Sequence, residues 1–128
     1  MAVALLAAAS MYAQPKMTVQ IPFGFHVGAT MLPSGEYLVD TGAVQGVVRL
    51  KATDPNSKAA ALILTNAVET YATPVRGKLV FNRYGNEYFL SQVWRPGSNT
   101  GRQLQPSRRE VETAAIARRN VESTMARR

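Results

Sequence analysis

Cysteine is absent from this 128-residue sequence. Its absence excludes disulfide bonds, thiolate catalysis, cysteine-ligated zinc and iron–sulfur clusters. We also expect no bacterial lipoprotein anchor, because that lipid is attached to a cysteine at the processing site. We therefore expect the fold to be stabilised by a hydrophobic core and by hydrogen bonds, and any exported form to be released or held by non-covalent contacts.

Histidine occurs once, as His26, and no catalytic motif accompanies it. The residue lies between Phe25 and Val27 in an alternating segment, which points its side chain away from the aromatic face. A zinc or copper site would need carboxylates brought by folding, for which Glu36 and Asp40 are guesses. The Gly-x-Ser-x-Gly elbow of hydrolases is also missing. We predict no catalytic residue, no metal and no cofactor, and interpret His26 as a surface or hydrogen-bonded residue.

Acidic residues are few, which limits glycosidase chemistry because that chemistry needs an acid and a base or nucleophile across one cleft. Asp54 lies in a predicted turn and Glu87 lies beside a predicted hairpin tip, so both have ordinary structural interpretations. An enzyme that acts on a polymer outside the cytoplasm is therefore kept as the alternative hypothesis. Outside the C-terminal helical segment, the acids are Glu36, Asp40, Asp54, Glu69 and Glu87.

The first charged residue is Lys16, and the 13 residues that open the chain are small or apolar. This composition is typical of the end of a secretory signal peptide whose basic start is missing. Residues 1–13 are too short to span a bilayer, which needs roughly 20 apolar residues, so no transmembrane segment is predicted in the mature form. We expect an exported protein, periplasmic or extracellular. The rival interpretation is an N-terminal helix packed on the domain.

Residues 16–95 consist of short alternating apolar and polar runs separated by turn residues, the pattern of an all-β domain. The length allows one core, and hydrophobic residues at 46% indicate a chain that folds. We predict a single sandwich or small barrel of six or seven antiparallel strands, followed by a C-terminal α-helix. Residues 59–65 are apolar on both faces, which predicts a central strand, and 67–76 read as an irregular connection.

Residues 78–95 predict a β-hairpin around Gly85-Asn86, because Gly provides the positive φ of a two-residue turn. The loop length pairs Tyr84 with Glu87 and, without interruption, would place Trp94 opposite Gly77. That register assigns Trp94 to the core face with the apolar residues Phe81, Tyr88 and Leu90, and Phe89 to a mixed face.

Residues 96–106 have the composition of a loop, and a helix is predicted over 107–126. Ser107 and Glu110 have the Ser-x-x-Glu spacing of a capping box. The apolar stripe of this helix is interrupted, which predicts loose docking or projection from the domain. The net charge of +7 is concentrated here, since residues 101–128 hold seven basic and three acidic residues. Because these arginines form no single stripe, a dedicated nucleic-acid interface is not expected.

Two groups of residues are candidates for a ligand or partner surface. Tyr84 and Phe89, near Lys78 and Arg83, interleave aromatic and basic side chains as in proteins that stack sugars or bases. This interpretation requires Tyr84 and Phe89 to be exposed together, and ordinary packing is the preferred one. The second group is the basic helix, with Arg108 and Arg119 on one side, which could contact an anionic polymer.

Several stretches resemble a group of small exported bacterial proteins of uncharacterised function, many of them from soil bacteria. The resemblance is carried by Ile-Pro-Phe-Gly-Phe-His-Val-Gly at 21–28, Leu-Pro-Ser-Gly-Glu-Tyr at 32–37, Arg-Tyr-Gly-Asn-Glu-Tyr-Phe-Leu-Ser-Gln-Val-Trp at 83–94, and Gly101-Arg102. It covers nearly the whole region after the N-terminal segment, and departs from the group in the shortened signal region. It implies export and a compact β-domain, and assigns no activity and no functional residue.

The hypothesis for function is an exported, non-enzymatic protein that binds an anionic envelope component or a partner protein. The sheet or the basic C-terminus would provide the binding surface. An enzyme would instead need a concave site with at least two convergent polar groups.

Overall fold

The computed structural model describes residues 16–42, 44–70 and 76–126, with side chains described as far as residue 118. These residues form nine β-strands and one helix. The strands are β1 (Lys16–Ile21), β2 (Phe25–Val27), β3 (Thr30–Leu32), β4 (Gly35–Asp40), β5 (Val47–Ala52), β6 (Ala60–Glu69), β7 (Lys78–Tyr84), β8 (Glu87–Trp94) and β9 (Thr100–Leu104), and the helix is α1 (Arg108–Ala126).

The strands form one sheet in the order β1-β4-β5-β6-β9-β8-β2-β3, with β7 on the other side of β8. Strand β6 joins the two halves, because its first residues pair with β5 and its last residues pair with β9. All pairings are antiparallel except the bridge between His26 of β2 and Phe89 of β8. Because β6 passes from one half to the other, the sheet can fold over a single core.

The core lies between the two halves of the sheet, where alternate residues of each strand point inward. Met17, Val19 and Ile21 of β1 are each at most 2% exposed, as the alternation in the sequence predicts. Phe25 contacts Tyr37 edge to face at a centroid distance of 5.3 Å. The other buried members are Val27, Leu32, Val39, Val48, Leu50, Leu79, Leu90, Val93 and Leu104.

The predicted class, all-β with a C-terminal helix, is confirmed. The sheet is not closed, so the small barrel offered as the alternative is not observed among the described strands. Strands number nine rather than six or seven, partly because β3 has only three residues. A run that short shows no alternation from which it could be predicted.

The prediction of a loop over 96–106 is wrong, because strand β9 occupies Thr100–Leu104 within it. The prediction rested on the composition of residues 95–101, which include Pro96, Gly97 and Gly101. In the structure the indole of Trp94 lies directly over Gly101, and a Cβ atom added there would be 2.6 Å from the ring. The glycine is therefore required by packing inside a strand, not by a turn.

The hairpin register is correct near the turn and wrong beyond it. Gly85 has a φ of 62°, and the pairs from Tyr84–Glu87 to Phe81–Leu90 are those predicted. A β-bulge then shifts the register, so that Val80 pairs with Gln92 and Lys78 pairs with Trp94. The extra residue reverses the alternation of β8. Val93 therefore belongs to the core, and the buried ring of Trp94 lies on the opposite face.

Strand β6 corrects two further predictions. The strand continues to Glu69, through part of the segment that was predicted to be irregular. It is central in the sheet, as predicted, but its outer face is not covered. Leu62 and Leu64 are 66% and 75% exposed, so apolar residues on both faces did not indicate burial on both faces here.

Helix α1 confirms the prediction for 107–126 to within one residue. In the described part of the chain, no helix combines the length and the apolar composition needed to cross a membrane. The predicted signal segment, residues 1–13, lies outside the described residues.

Replacing Gly101 with alanine tests the packing of Trp94 on β9. Alanine normally stabilises a strand relative to glycine, but here its Cβ meets the indole, so we expect a loss of about 1–3 kcal/mol in the free energy of unfolding. Urea denaturation measures it, with the exposed neighbour variant Gln103→Ala as the control. An unchanged or increased stability of Gly101→Ala would show that the ring does not lie against this glycine.

Candidate functional site

Phe89 is buried beneath other side chains and does not form a stacking platform. It is 2% exposed, and the imidazole of His26 stacks on it at a centroid distance of 4.3 Å and an interplanar angle of 13°. The ring of Tyr84 contacts the ring of Phe89 edge to face at a centroid distance of 5.8 Å. The candidate surface that required Tyr84 and Phe89 to be exposed together is therefore wrong, and packing is the correct interpretation of Phe89.

The carboxylate of Glu110 attaches the first turn of α1 to the hairpin. This side chain is 6% exposed, and its Oε2 accepts hydrogen bonds from Asn82 Nδ2 at 3.0 Å and from Tyr84 OH at 3.1 Å. Burial and the hydrogen bond to Glu110 raise the pKa of Tyr84. Ser107 caps the helix, since its Oγ accepts from Glu110 N at 3.1 Å. The predicted helix cap at Ser107 is correct, whereas the carboxylate of Glu110 binds the hairpin of the sheet.

A second carboxylate, Glu87, joins the helix to the hairpin tip. Its Oε1 accepts a hydrogen bond from Arg109 Nη2 at 3.0 Å and lies 3.2 Å from His26 Nε2. The hydrogen bond from Arg109 is the largest influence on the pKa of Glu87 and holds it below the ordinary value. His26 is 8% exposed and hydrogen-bonded, in agreement with the sequence-based interpretation.

The structure does not bring the predicted basic residues together. Lys78 Nζ lies 6.0 Å from the centre of the Trp94 ring, whereas the Arg83 guanidinium lies over Tyr88, which belongs to the core side of the hairpin. The Arg108 side chain is 94% exposed and faces Glu112 at 3.6 Å, a weak pair at the helix surface. The side chain of Arg119 lies outside the described part of the structure.

The acids outside the helix are dispersed. The side chain of Glu36 accepts from Thr53, Asp40 accepts from the amide of Gly42, and Asp54 accepts from the amide of Asn56. Among the described residues, no group of three or more histidine and acidic side chains is arranged to hold a metal ion. These local contacts are the ordinary functions of carboxylates in turns and at strand ends.

A polar pocket lies where the core reaches one end of the sheet, and the sequence analysis did not predict it. It has a volume of about 160 Å³ and contains two arginines and two threonines. The pocket draws residues from β8, β9 and the segment between β4 and β5. Its lining residues are Thr41, Gln45, Gly46, Val93, Arg95, Thr100 and Arg102.

Arg102 is held in this pocket by hydrogen bonds to a single residue. Its Nε donates to Thr65 Oγ1 at 2.8 Å, and its Nη2 donates to the Thr65 carbonyl at 2.9 Å. The Thr65 hydroxyl in turn donates to the carbonyl of Gly46 at 2.9 Å. Thr65 is 9% exposed, so the contact that orients the guanidinium is largely protected from water. The guanidinium is therefore fixed before any ligand arrives.

The charge of this pocket is not neutralised by the protein residues that the structure describes. Among them, neither Arg95 nor Arg102 forms an ion pair. A guanidinium carries five N–H donors, and Thr65 accepts from two of the N–H groups of Arg102. A half-buried guanidinium with unused donors, and with no carboxylate partner among the described side chains, is suited to an anion.

The sequence did not predict this site, because residues 96–106 were expected to form a loop and Arg102 was therefore not assigned to a face of the sheet. Arg102 lies two residues before the buried Leu104 in β9, so both side chains point to the core side of the sheet. That alternation is the signal that could have found the residue. The bulge in β8 could not be predicted from the sequence either. It directs Val93, and Arg95 two residues later, toward the same pocket.

Comparison with protein-family models, with curated proteins and with solved structures gave no match. The function proposed below therefore rests on the geometry of the described residues and on features of the sequence itself.

Glu110→Ala tests how the helix is attached. It removes the acceptor of two hydrogen bonds and leaves Asn82 without this partner, so we expect a loss of about 1–3 kcal/mol and faster amide exchange in the first turns of α1. Hydrogen exchange and denaturation measure the two effects. The matched control, Glu112→Ala, removes an exposed helix acid and should change stability by no more than about 0.5 kcal/mol. Equal effects of both substitutions would contradict the assignment.

The pKa of Glu87 gives a pH prediction. Because its folded pKa lies below 4.5, the value taken for the isolated group, its contacts stabilise the fold above that pH and are lost as the pH falls through the folded pKa. Arg109→Gln should raise this pKa, measured by NMR titration of the carboxyl carbon. Arg108→Gln removes a neighbouring arginine that does not contact Glu87 and should leave the titration unchanged. A pKa that is insensitive to Arg109→Gln would be inconsistent with this pairing.

Proposed function

We propose that this protein is an exported, non-enzymatic binding protein that holds an anionic group of a cell-envelope polymer against Arg102. The observation that carries the proposal is the guanidinium fixed by Thr65 without a carboxylate partner among the described residues. Export is proposed from the small and apolar N-terminal segment of the sequence.

The pocket fits one charged group rather than a whole ligand. Its volume of about 160 Å³ accommodates a carboxylate, phosphate or sulfate, while the rest of a polymer would lie over the rim. Arg95 adds a second positive charge, and Thr41 and Thr100 also line the pocket. Hydrogen bonds between a guanidinium and an anion are about twice as strong as neutral ones, so most of the selectivity would come from Arg102.

The net charge of +7 favours the same class of ligand. An excess of positive charge attracts polyanions at long range and increases their association rate. The exposed arginines of α1 can contribute to this attraction, but they lack the fixed geometry of Arg102. Binding in the pocket should therefore depend less on salt than binding to the helix, because screening acts most on exposed charges.

Binding of the full chain to an acidic polysaccharide, for example polyglucuronate, tests the proposal by isothermal titration calorimetry at several salt concentrations. Arg102→Gln should weaken binding by roughly tenfold or more, because a charge-assisted hydrogen bond is lost. Arg83→Gln, which removes an exposed arginine outside the pocket, is the matched control and should retain most of the affinity. Thr65→Val, which leaves the arginine in place without its hydroxyl partner, should give an intermediate loss.

Thermal denaturation of each variant separates binding from folding, since Arg102→Gln also removes contacts to Thr65. Arg102→Lys keeps the charge without the planar fork, so it should fold and still bind less tightly. Equal affinity of Arg102→Gln and Arg83→Gln in folded protein would overturn the pocket as the binding site.

A further inference from the structure

The outer face of β5 and β6 presents two leucines to solvent. Leu62 and Leu64 are 66% and 75% exposed, the highest values among the large hydrophobic residues that the structure describes. They lie two residues apart on one strand, so both side chains project from the same side of the sheet. Val47 is the cross-strand partner of Leu64, which extends the apolar area onto β5. Exposed apolar patches of this kind mark interaction surfaces more often than isolated residues do.

Two cations border these leucines. Arg49 is the cross-strand partner of Leu62, and Lys51 is the partner of Ala60, so both side chains lie on the same outer face. Both residues are exposed, and neither forms an ion pair with another described residue. Asp40, the neighbour of Arg49 on β4, is 8% exposed and accepts a hydrogen bond from Gly42. The face is therefore apolar at β6 and basic at β5.

We propose that this leucine face, formed by Val47, Arg49, Lys51, Leu62 and Leu64, docks on the surface of a membrane that contains anionic lipid. Leucine side chains that project from a sheet can enter the boundary between headgroups and acyl chains without a complementary cavity. Arginine and lysine beside them would meet the anionic headgroups, whose surface potential attracts basic residues. The apolar groups therefore match the acyl chains, and the basic groups match the anionic headgroups.

A second copy of the chain is a poorer occupant of the same face. A symmetric interface would pair the leucine face with itself and bring Arg49 and Lys51 toward the same residues of the other copy. The resulting repulsion between like charges opposes that dimer. An anionic bilayer instead attracts Arg49 and Lys51.

The leucine face is separate from the pocket around Arg102. Leu62 and Leu64 point outward from β6, whereas the intervening Ile63 packs against the core. The side chain of Arg102 donates a hydrogen bond to Thr65, the residue at which β6 begins to pair with β9. Membrane docking and anion binding can therefore be tested independently, and the failure of one leaves the other intact.

Vesicle flotation of the full chain tests the docking proposal. We expect the protein to float with vesicles of phosphatidylcholine and phosphatidylglycerol, and to remain unbound with phosphatidylcholine alone or at high salt. The double substitution Leu62→Ser with Leu64→Ser should reduce the bound fraction at least about tenfold, because it removes the inserting groups. Arg49→Gln with Lys51→Gln should reduce it only for the anionic vesicles.

Met31→Ser with Ile116→Ser is the matched control, since these two residues are also exposed apolar side chains but lie elsewhere on the molecule. It should bind as the unmodified protein does. Because Leu62 and Leu64 are exposed, their substitution should leave the melting temperature nearly unchanged, and Leu62→Ala with Leu64→Ala provides a second folded variant. Flotation that survives both leucine variants, or that never occurs, would overturn the proposal. Two other results would also overturn it: a dimer in sedimentation velocity that the leucine variants dissociate, and binding of the protein to an acidic peptide but not to the anionic vesicles.

Discussion

Strand β8 contains one more residue than its partner β7, and much of the structure depends on the resulting bulge. Before the bulge, Leu90 points into the core and Phe89 points outward. After it, the alternation is reversed, so Val93 points inward and Trp94 lies over Gly101 on the outer side. Without the extra residue the indole would be directed into the end of the core, where Arg95 and Arg102 line the polar pocket.

The attachment of the helix follows a different physical rule from the rest of the fold. The sheet is stabilised mainly by apolar burial, whereas the described part of α1 is held by two carboxylates at its first turn. Hydrogen bonds to a buried carboxylate fix orientation but bury little apolar surface. Val111 and Ile116 therefore stay exposed farther along the helix, in agreement with the loose docking predicted from its interrupted apolar stripe.

Local patterns predicted the parts of the fold that local interactions determine. The alternation of Met17, Val19 and Ile21, the turn at Gly85 and the cap at Ser107 each depend on neighbouring residues, and each agrees with the structure. What could not be predicted depends on contacts distant in sequence. Nothing near Gly101 shows that Trp94 will cover it, and nothing near Arg102 shows that Thr65 will hold its guanidinium. The candidate site was therefore missed, because its strand was predicted to be a loop and the contact that fixes Arg102 is distant in sequence.

The central claim is that Arg102 is a fixed donor for an anion rather than a mobile surface charge. The side-chain Nε–H resonance of Arg102 in a proton–nitrogen correlation spectrum tests it directly, because the hydrogen bond to Thr65 protects this proton from exchange with water. The account predicts a protected Arg102 resonance that shifts progressively on titration with glucuronate, while the exposed Arg49 shows neither protection nor a comparable shift. An Arg102 resonance that exchanges as fast as that of Arg49, or one that is protected but insensitive to the anion, would contradict it.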